Sequence, residues 1–534
     1  MATIAPTHDS QEPAPSDVRL VISASALGTV FEWYDFFIYG TLAASGVIGR
    51  TFFPAGNEMV QALLAWAGFA VGFGFRPLGA VVFGYLGDRL GRKYTFLVTI
   101  ALMGVATAGV GLVPSYEAIG MAAPIIVILL RIAQGLALGG EYGGAAVYVA
   151  EHSPPGKSGF YTSFIQAGVA GGFVLSLAVV LGFKAIIPAD AWGAWGWRTP
   201  FLFSIVLLVI SLWMRVKLSE SPVFKQMRAA GETVANPVKR SFTYPGNLKR
   251  MFVAMIGIAA GLTVIWYTSM FSVLSFLQTT MQVEETTAQL LSGAGALMGL
   301  FWFVYFGRLS DRIGRKKPIV IGYALTLVLL FPIFWLIAAA ANPGLARAGE
   351  VSPVVVAGPD CTYSPFAAKQ KTECGQLLDV LSKKGVPYTT AQAPETSLTI
   401  GAQPIADRSP EAIDRALTAA GYDLTKVVPG AGNVALILLA ILAITGLSGI
   451  TYGPVAAALA EMFPPEIRYS SLSIPYHLGT GYFGGFLPFI SQYIVARTGN
   501  PFAGLWYTWG ITLVALIVCV IWLRDDADGR ATVA

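Results

Sequence analysis

The chain has 534 residues, of which 55% are apolar and only 12% are charged. A soluble domain carries about 25% charged residues, so this chain has too few charges to wet the surface of a soluble enzyme of its size. Lys and Arg exceed the acids by only five, and three cysteines and three histidines exclude a disulfide-dense scaffold and a multi-histidine metal enzyme.

Residues 1–18 are polar, Pro-rich and free of Lys and Arg, which is not the pattern of a signal peptide. A bilayer core of about 30 Å needs about 20 mostly apolar helical residues to cross it, and twelve such runs follow. Six lie near 19–47, 58–86, 95–113, 122–150, 158–184 and 196–215, and form a first bundle over 19–215. A polar linker, 216–251, leads to three more near 252–278, 286–307 and 318–341. The polar stretch 342–431 interrupts the second bundle, which resumes over 432–524 with runs near 432–460, 470–497 and 502–524, before a tail at 525–534. The expectation is an all-α membrane protein of twelve transmembrane helices.

Orientation follows from Lys and Arg in the short loops. With the N-terminus inside, the cytoplasmic segments hold 21 of them, and the short outer loops hold only Arg50, Lys184, Arg198 and Arg497. Both termini are therefore expected in the cytoplasm, with the chain multi-pass in the cell (plasma or inner) membrane.

Two loops repeat. Gly84-Tyr-Leu-Gly-Asp88-Arg89-Leu-Gly91-Arg92-Lys93 returns as Gly307-Arg-Leu-Ser-Asp311-Arg312-Ile-Gly314-Arg315-Lys316, and Ala150-Glu151-His-Ser-Pro154-Pro155 returns as Ala460-Glu461-Met-Phe-Pro464-Pro465. The first follows the second span of each half and the second follows the fourth, as expected of two six-helix repeats related by an axis along the membrane normal. The offsets, 223 and 310 residues, differ by 87, which measures an insertion in the second half. Only 342–431 can hold it, in an extracytoplasmic loop. Helical stretches are expected there near 369–384 and 410–420, with Pro410 in a first turn and Gly421 at an end; a disordered decoration is the alternative. Cys361 and Cys374 both fall in this outer segment, whereas Cys519 lies in span twelve. A disulfide between them is expected in an extracytoplasmic setting.

The duplicated Gly-x-x-x-Asp-Arg-x-Gly-Arg-Lys loop resembles the signature of the major facilitator superfamily. Phe31-Glu32-Trp33-Tyr34-Asp35-Phe36-Phe37-Ile38-Tyr39-Gly40, Phe75-Arg76-Pro77-Leu78-Gly79, Gly139-Gly140-Glu141-Tyr142-Gly143-Gly144-Ala145 and Glu220-Ser221-Pro222-Val223-Phe224 resemble its metabolite:H⁺ symporter branch. The resemblance implies alternating-access carriage of a small organic acid or zwitterion (dicarboxylate, shikimate, proline or betaine type) with protons. It also implies that Asp88, Arg89, Arg92, Asp311, Arg312 and Arg315 form charge-assisted bonds that latch one access state. The insert departs from the family pattern, and the tail lacks the coiled coil of some osmolyte carriers.

A charge at mid-bilayer costs at least about 2.5–3.5 kcal/mol, so each ionisable residue in a span is a candidate site. The first half carries Glu32, Asp35, Arg76, Arg131 and Glu141, and the second half only His477. Glu32 and Asp35 are three residues apart and share a helix face. Two carboxylates that close resist double ionisation, so the pair is suited to hold a proton, with Asp35 the leading coupling acid, Glu32 its helper and Glu141 a further candidate; the alternative is that either acid of the pair only neutralises Arg76 or Arg131. Arg131 either meets an anionic substrate or packs against a span-one acid. Glu141 stands among Gly139, Gly140, Gly143 and Gly144, a small-residue pattern that serves helix packing. Gln166, Trp266, Tyr267, Tyr452 and Arg76 are candidates to line the substrate cavity. His477 is a further candidate or a satisfied structural group, in a span made bendable by Pro475, Gly479, Gly481, Gly484, Gly485 and Pro488.

The chain shows no Gly-x-Ser-x-Gly, no His-Glu-x-x-His and no phosphate-cradling loop, so a membrane-embedded enzyme is not expected. A proton-coupled uptake symporter is the expectation, with proton-driven efflux of amphiphilic compounds as the alternative. It needs no cofactor, metal or nucleic acid, and is expected to work as a monomer in the lipid bilayer.

Overall fold

The computed structural model describes residues 15–54, 58–90, 92–216, 236–367, 369–526 and 528–533. Each of the twelve apolar runs is helical. Span one is Pro15–Ala44, span two Glu58–Gly74 continued by Arg76–Leu90, span three Arg92–Leu112, and span four Ala122–Gly139 continued by Tyr142–His152. Spans five and six are Ser158–Ile186 and Thr199–Val216. Span seven runs from Asn247 to Thr280, span eight is Glu285–Ile313, span nine Lys316–Ala341, and span ten Ala431–Tyr452 continued by Val455–Met462. Span eleven starts as Arg468–Leu478 and ends as Leu487–Thr498, and span twelve is Leu505–Trp522. Among the described residues, nine of these helices are long and apolar enough by composition to cross a bilayer.

Several spans are not regular, for local reasons. Pro77 and Pro454 lack the N–H that would continue a helix, and the breaks in spans two and ten fall beside them. Span seven contains three wide π-turned stretches, Val253–Ala260, Thr268–Ser272 and Phe276–Thr280, and span eleven contains one, Gly479–Gly485. Spans two and four meet closely because a Cβ at Gly135 would overlap the Gly72 carbonyl, and one at Gly139 the Arg76 carbonyl. Span five packs along both span one and span eight, joining the halves.

The insert folds as a unit with its own core, built on Val354, Val356, Leu378, Leu381, Ile400, Ile413 and Leu417. Two of its helices, Glu373–Lys383 and Pro410–Ala419, lie where the sequence placed them, and a third, Pro343–Val351, was not expected. Four short strands add to them: β1 Val354–Gly358, β2 Thr389–Gln392, β3 Ser397–Ile400 and β4 Gln403–Pro404, in the order β2-β1-β3-β4. β1 and β2 are parallel, and the helix Glu373–Lys383 supplies the crossover that a parallel pair needs. The unit is tied to the ends of spans seven and eleven: Val427 N–H donates to Gln282 O (2.9 Å), Glu284 N–H to Val427 O (2.9 Å), and Tyr388 N–H to Gly499 O (3.2 Å).

Cys361 and Cys374 are disulfide-bonded, 13 residues apart in sequence, and Cys519 is a buried free thiol. Closing a loop of that length removes about 3 kcal/mol of unfolded-state entropy. Cys361→Ser is therefore expected to raise proteolysis of the insert, with the spans left intact, read as a time course of limited digestion in native membranes.

The tail is more ordered than a polar tail would be. Leu523–Asp525 and Ala531–Val533 pair as an antiparallel hairpin, β5 and β6, with Leu523 and Ala531 buried. The Asp525 carboxylate accepts from the backbone N–H of Arg315 and Lys316, both at 3.0 Å. Gly314 makes room for it with φ 88°, where a Cβ would overlap that carboxylate.

Candidate functional site

Arg76 opens the second segment of span two, just past the break at Phe75, and is fully buried. Its guanidinium lies 5.0 Å from the Trp33 ring centre and 5.2 Å from that of Phe73. Its Nε, Nη1 and Nη2 find no hydrogen-bond partner among the described residues. Tyr142, Tyr267, Tyr452 and Tyr476 lie within electrostatic reach of it. Tyr142 and Tyr476 stack at 3.9 Å, Tyr452 and Tyr476 share a 2.9 Å hydroxyl–hydroxyl bond, and Gln166 Nε2 donates to the Tyr142 hydroxyl at 2.7 Å. His477 completes the wall beside Tyr476, with ring centres 5.5 Å apart. The Trp266 indole N–H and the Tyr267 hydroxyl are also buried without a partner among the described residues. The cage thus joins Gln166, Tyr267, Tyr452 and His477 near Arg76, and Trp266 packs on Tyr267 at its edge, with ring centres 4.8 Å apart. Tyr142 and Tyr476 were missed by sequence reading, since a tyrosine in an apolar span is indistinguishable from packing.

Arg131 stands elsewhere. Its Nη1 donates to Gln134 Oε1 at 2.6 Å and to the Phe36 carbonyl at 3.4 Å, and its Nη2 to the Phe69 carbonyl at 3.5 Å. The Phe36 and Tyr39 rings cover its guanidinium at 4.1 and 4.6 Å. It forms no ion pair with Asp35; Gln134 lies between, bonded to Thr107 Oγ1 (2.6 Å) and to the Asp35 carbonyl (3.4 Å). Arg131 thus packs against span one through a carbonyl and two rings rather than through an ion pair with Asp35. Its Nη1 and Nη2 bonds are used within spans one, two and four and its Nε is left over, whereas all three guanidinium nitrogens of Arg76 lack a partner among the described residues.

Asp35 and Glu32 are 6% and 8% exposed on one face of span one, and Asp35 faces Ser204 of span six. Glu141 is buried at the break in span four, where a Cβ at Gly143 would overlap Ser473 of span eleven and one at Gly140 would press on Phe83. The glycines here serve close helix contact. An aromatic block of Phe37, Phe69, Phe73, Trp266 and Phe271 separates the cage from the face carrying the insert, with Phe37 and Trp266 stacked at 5.0 Å.

The opposite face is held by charged groups that cross between the halves. Asp311 accepts from the Gly159 and Phe160 N–H groups at 2.7 and 2.8 Å, capping the start of span five; a carboxylate is favoured at a helix N-terminus. Arg315 pairs with Asp311 (2.8 Å) and Glu461 (2.9 Å) and donates to Ser158 Oγ (2.7 Å). Arg468 pairs with Glu151 at 3.1 Å. Arg312 is exposed and takes no part. The side chains of Asp88, Arg89 and Arg92, with Gly91 and the Glu220–Phe224 motif, lie outside the described residues. The roles of Glu151 and Glu461 were missed, although their sequence echo marked them. Asp311→Asn, at about 1.5–3 kcal/mol per charged hydrogen bond, is expected to shift the population toward molecules open at this face. Longer distances between spin labels on the two halves at that face would show it.

The family model described as Major Facilitator Superfamily matches residues 24–356. The chain is 30% identical over 533 residues to an inner membrane metabolite transport protein of Escherichia coli, covering 97% of this chain and 98% of that protein. It is 38% identical over 326 residues to the shikimate transporter of E. coli, spanning 60% of this chain and 72% of that one. The same identity and length relate it to a glycine betaine/proline/ectoine/pipecolic acid transporter of Dickeya dadantii, spanning 60% of this chain and 65% of that one. Its fold matches a xylose transporter from E. coli in a partially occluded inward-open conformation, with TM-score 0.60, 17% identity, and coverage of 94% and 97% of the two chains. With the matched family model spanning both the acid-bearing first half and the first duplicated loop pair, the chain belongs to the major facilitator superfamily of secondary transporters.

Proposed function

We propose that this transporter takes up a small organic carboxylate or zwitterion together with protons, by alternating access. The observation that carries the reading is Arg76, a fully buried guanidinium with three nitrogens unpartnered inside a cage of tyrosines. A buried unpaired charge is costly, and a carboxylate can satisfy a guanidinium through two parallel N–H···O bonds. Shikimate, proline and betaine, named for its relatives, all bring a carboxylate of this kind. Asp35, helped by Glu32, is the proposed proton carrier. Substrate anion and proton together leave the interior's net charge unchanged, whereas either alone adds a charge that opposes rocking through the bilayer. The bias of Lys and Arg toward the loops of the termini supports a cytoplasmic placement of that face and an outward placement of the insert. The test is uptake of labelled shikimate, proline and glycine betaine into proteoliposomes, with and without a pH gradient. Accumulation driven by an acidic exterior is expected; downhill movement alone, indifferent to pH, would overturn proton coupling.

A further inference from the structure

A cavity of about 530 Å³ lies between the insert and the ends of spans two, seven and eleven, separate from the Arg76 cage. That volume suits a small organic ligand. Gln278 lines it, only 4% exposed, and neither its Nε2 nor its Oε1 finds a partner among the described residues. A buried primary amide without partners is a group that a ligand can satisfy. Beside it, Lys426 of the insert donates from Nζ to the Gln278 carbonyl at 2.7 Å, and Gln492 Nε2 donates to Ser275 Oγ at 2.8 Å. The wall carries both signs of charge, with Lys426 close to Glu58 and Glu285. Burial pulls the Lys426 ammonium below its ordinary value, against the attraction of Glu285, Glu58 and Glu284. The floor is Trp66, whose ring lies 5.6 Å from Phe69 and 5.9 Å from Phe271. Phe69 leads to Phe73, which covers Arg76. The cavity therefore stands at one end of the aromatic block and the cage at the other.

We propose that this cavity is a second solute site, roofed by the insert, that captures a zwitterion before it reaches the Arg76 cage. Lys426 and the Gln278 amide take the carboxylate, and Glu58 and Glu285 take the cationic end. The insert is thus a part of the solute path, and a solute lacking a positive group is held only at the cage. The inference rests on the reading of the chain as a carrier of carboxylates or zwitterions, and the experiment separates the two.

Equilibrium dialysis of the full-length protein in nanodiscs, with labelled glycine betaine and labelled shikimate, counts the equivalents bound per chain. Two equivalents of glycine betaine and one of shikimate are expected for the wild type. Gln278→Leu is expected to lose one equivalent of glycine betaine and none of shikimate. Lys426→Gln, a change in an exposed side chain of the insert, is expected to lose the same equivalent and leaves the interior of the spans untouched. Arg76→Leu should lose the other betaine equivalent and the shikimate. A single betaine site, abolished by Arg76→Leu and indifferent to Gln278→Leu and Lys426→Gln, would overturn the second site and leave the proposed function standing. Two shikimate equivalents would overturn the zwitterion assignment of the cavity. Loss of glycine betaine binding altogether in the wild type, with shikimate retained, would overturn it as well.

Discussion

Replacing Arg76 by Leu is expected to abolish uptake of carboxylate-bearing solutes while leaving the fold at least as stable as before. Hydrogen bonds to charged groups contribute about 1.5–3 kcal/mol each. Losing a two-bond grip therefore weakens binding by about 10² to 10⁴-fold. The stability half of the expectation follows from the same observation. The Arg76 guanidinium is buried with no hydrogen-bond partner among the described residues, and removing an unpaired buried charge takes away a desolvation cost rather than a bond. What remains around position 76 is the ring surface of Trp33 and Phe73, which accepts a leucine. Arg76→Lys is expected to rescue poorly, because an ammonium lacks the planar fork that meets a carboxylate with two parallel bonds. Uptake within a few-fold of wild type in Arg76→Leu proteoliposomes, or a sharply lowered thermal midpoint, would show that Arg76 is a structural group. Arg131→Leu gives the contrast. Its donors hold Gln134 and the carbonyls of Phe36 and Phe69, so its loss should lower stability as well as transport.

Asp35→Asn is expected to uncouple transport. The substitution keeps the size and polarity of a side chain enclosed beside Ser204, but it cannot change charge. A carrier with a permanently neutral group at position 35 has no means of linking solute movement to a proton. Accumulation under an imposed pH gradient should therefore vanish, while exchange of labelled for unlabelled solute across the membrane should persist. Glu32→Gln, one helical turn away on the same face, should reduce accumulation less, because Asp35 remains to carry the proton. If Asp35→Asn still concentrates solute when only a pH gradient is applied, the coupling acid is Glu32 or Glu141. The comparison must be made at matched exchange rates, so that a slower carrier is not mistaken for an uncoupled one.

The sequence by itself determined where the helices run, because a lipid interior demands about 20 apolar residues of hydrogen-bonded helix for each crossing. Duplicated loops and their unequal offsets located the insert between spans nine and ten, and the three-residue spacing of Glu32 and Asp35 put both acids on one face. Those inferences rest on periodicity and on distances along the chain, which a sequence displays directly. Arg76 and Arg131 could not be told apart in that way, since each is a lone arginine in an apolar run. The difference between them is decided by what neighbouring spans present: Gln134 and backbone carbonyls to one, four tyrosine rings and no acceptor to the other. The latches are equally tertiary, joining Glu151 to Arg468 and Asp311 to the start of span five. So is the pairing of Tyr142 with Tyr476. The strands of the insert escaped notice because β1 is five residues long and its partners begin more than thirty residues later. In each case the deciding quantity is whether a polar group, once removed from water, meets a partner, and that depends on which spans the fold brings together.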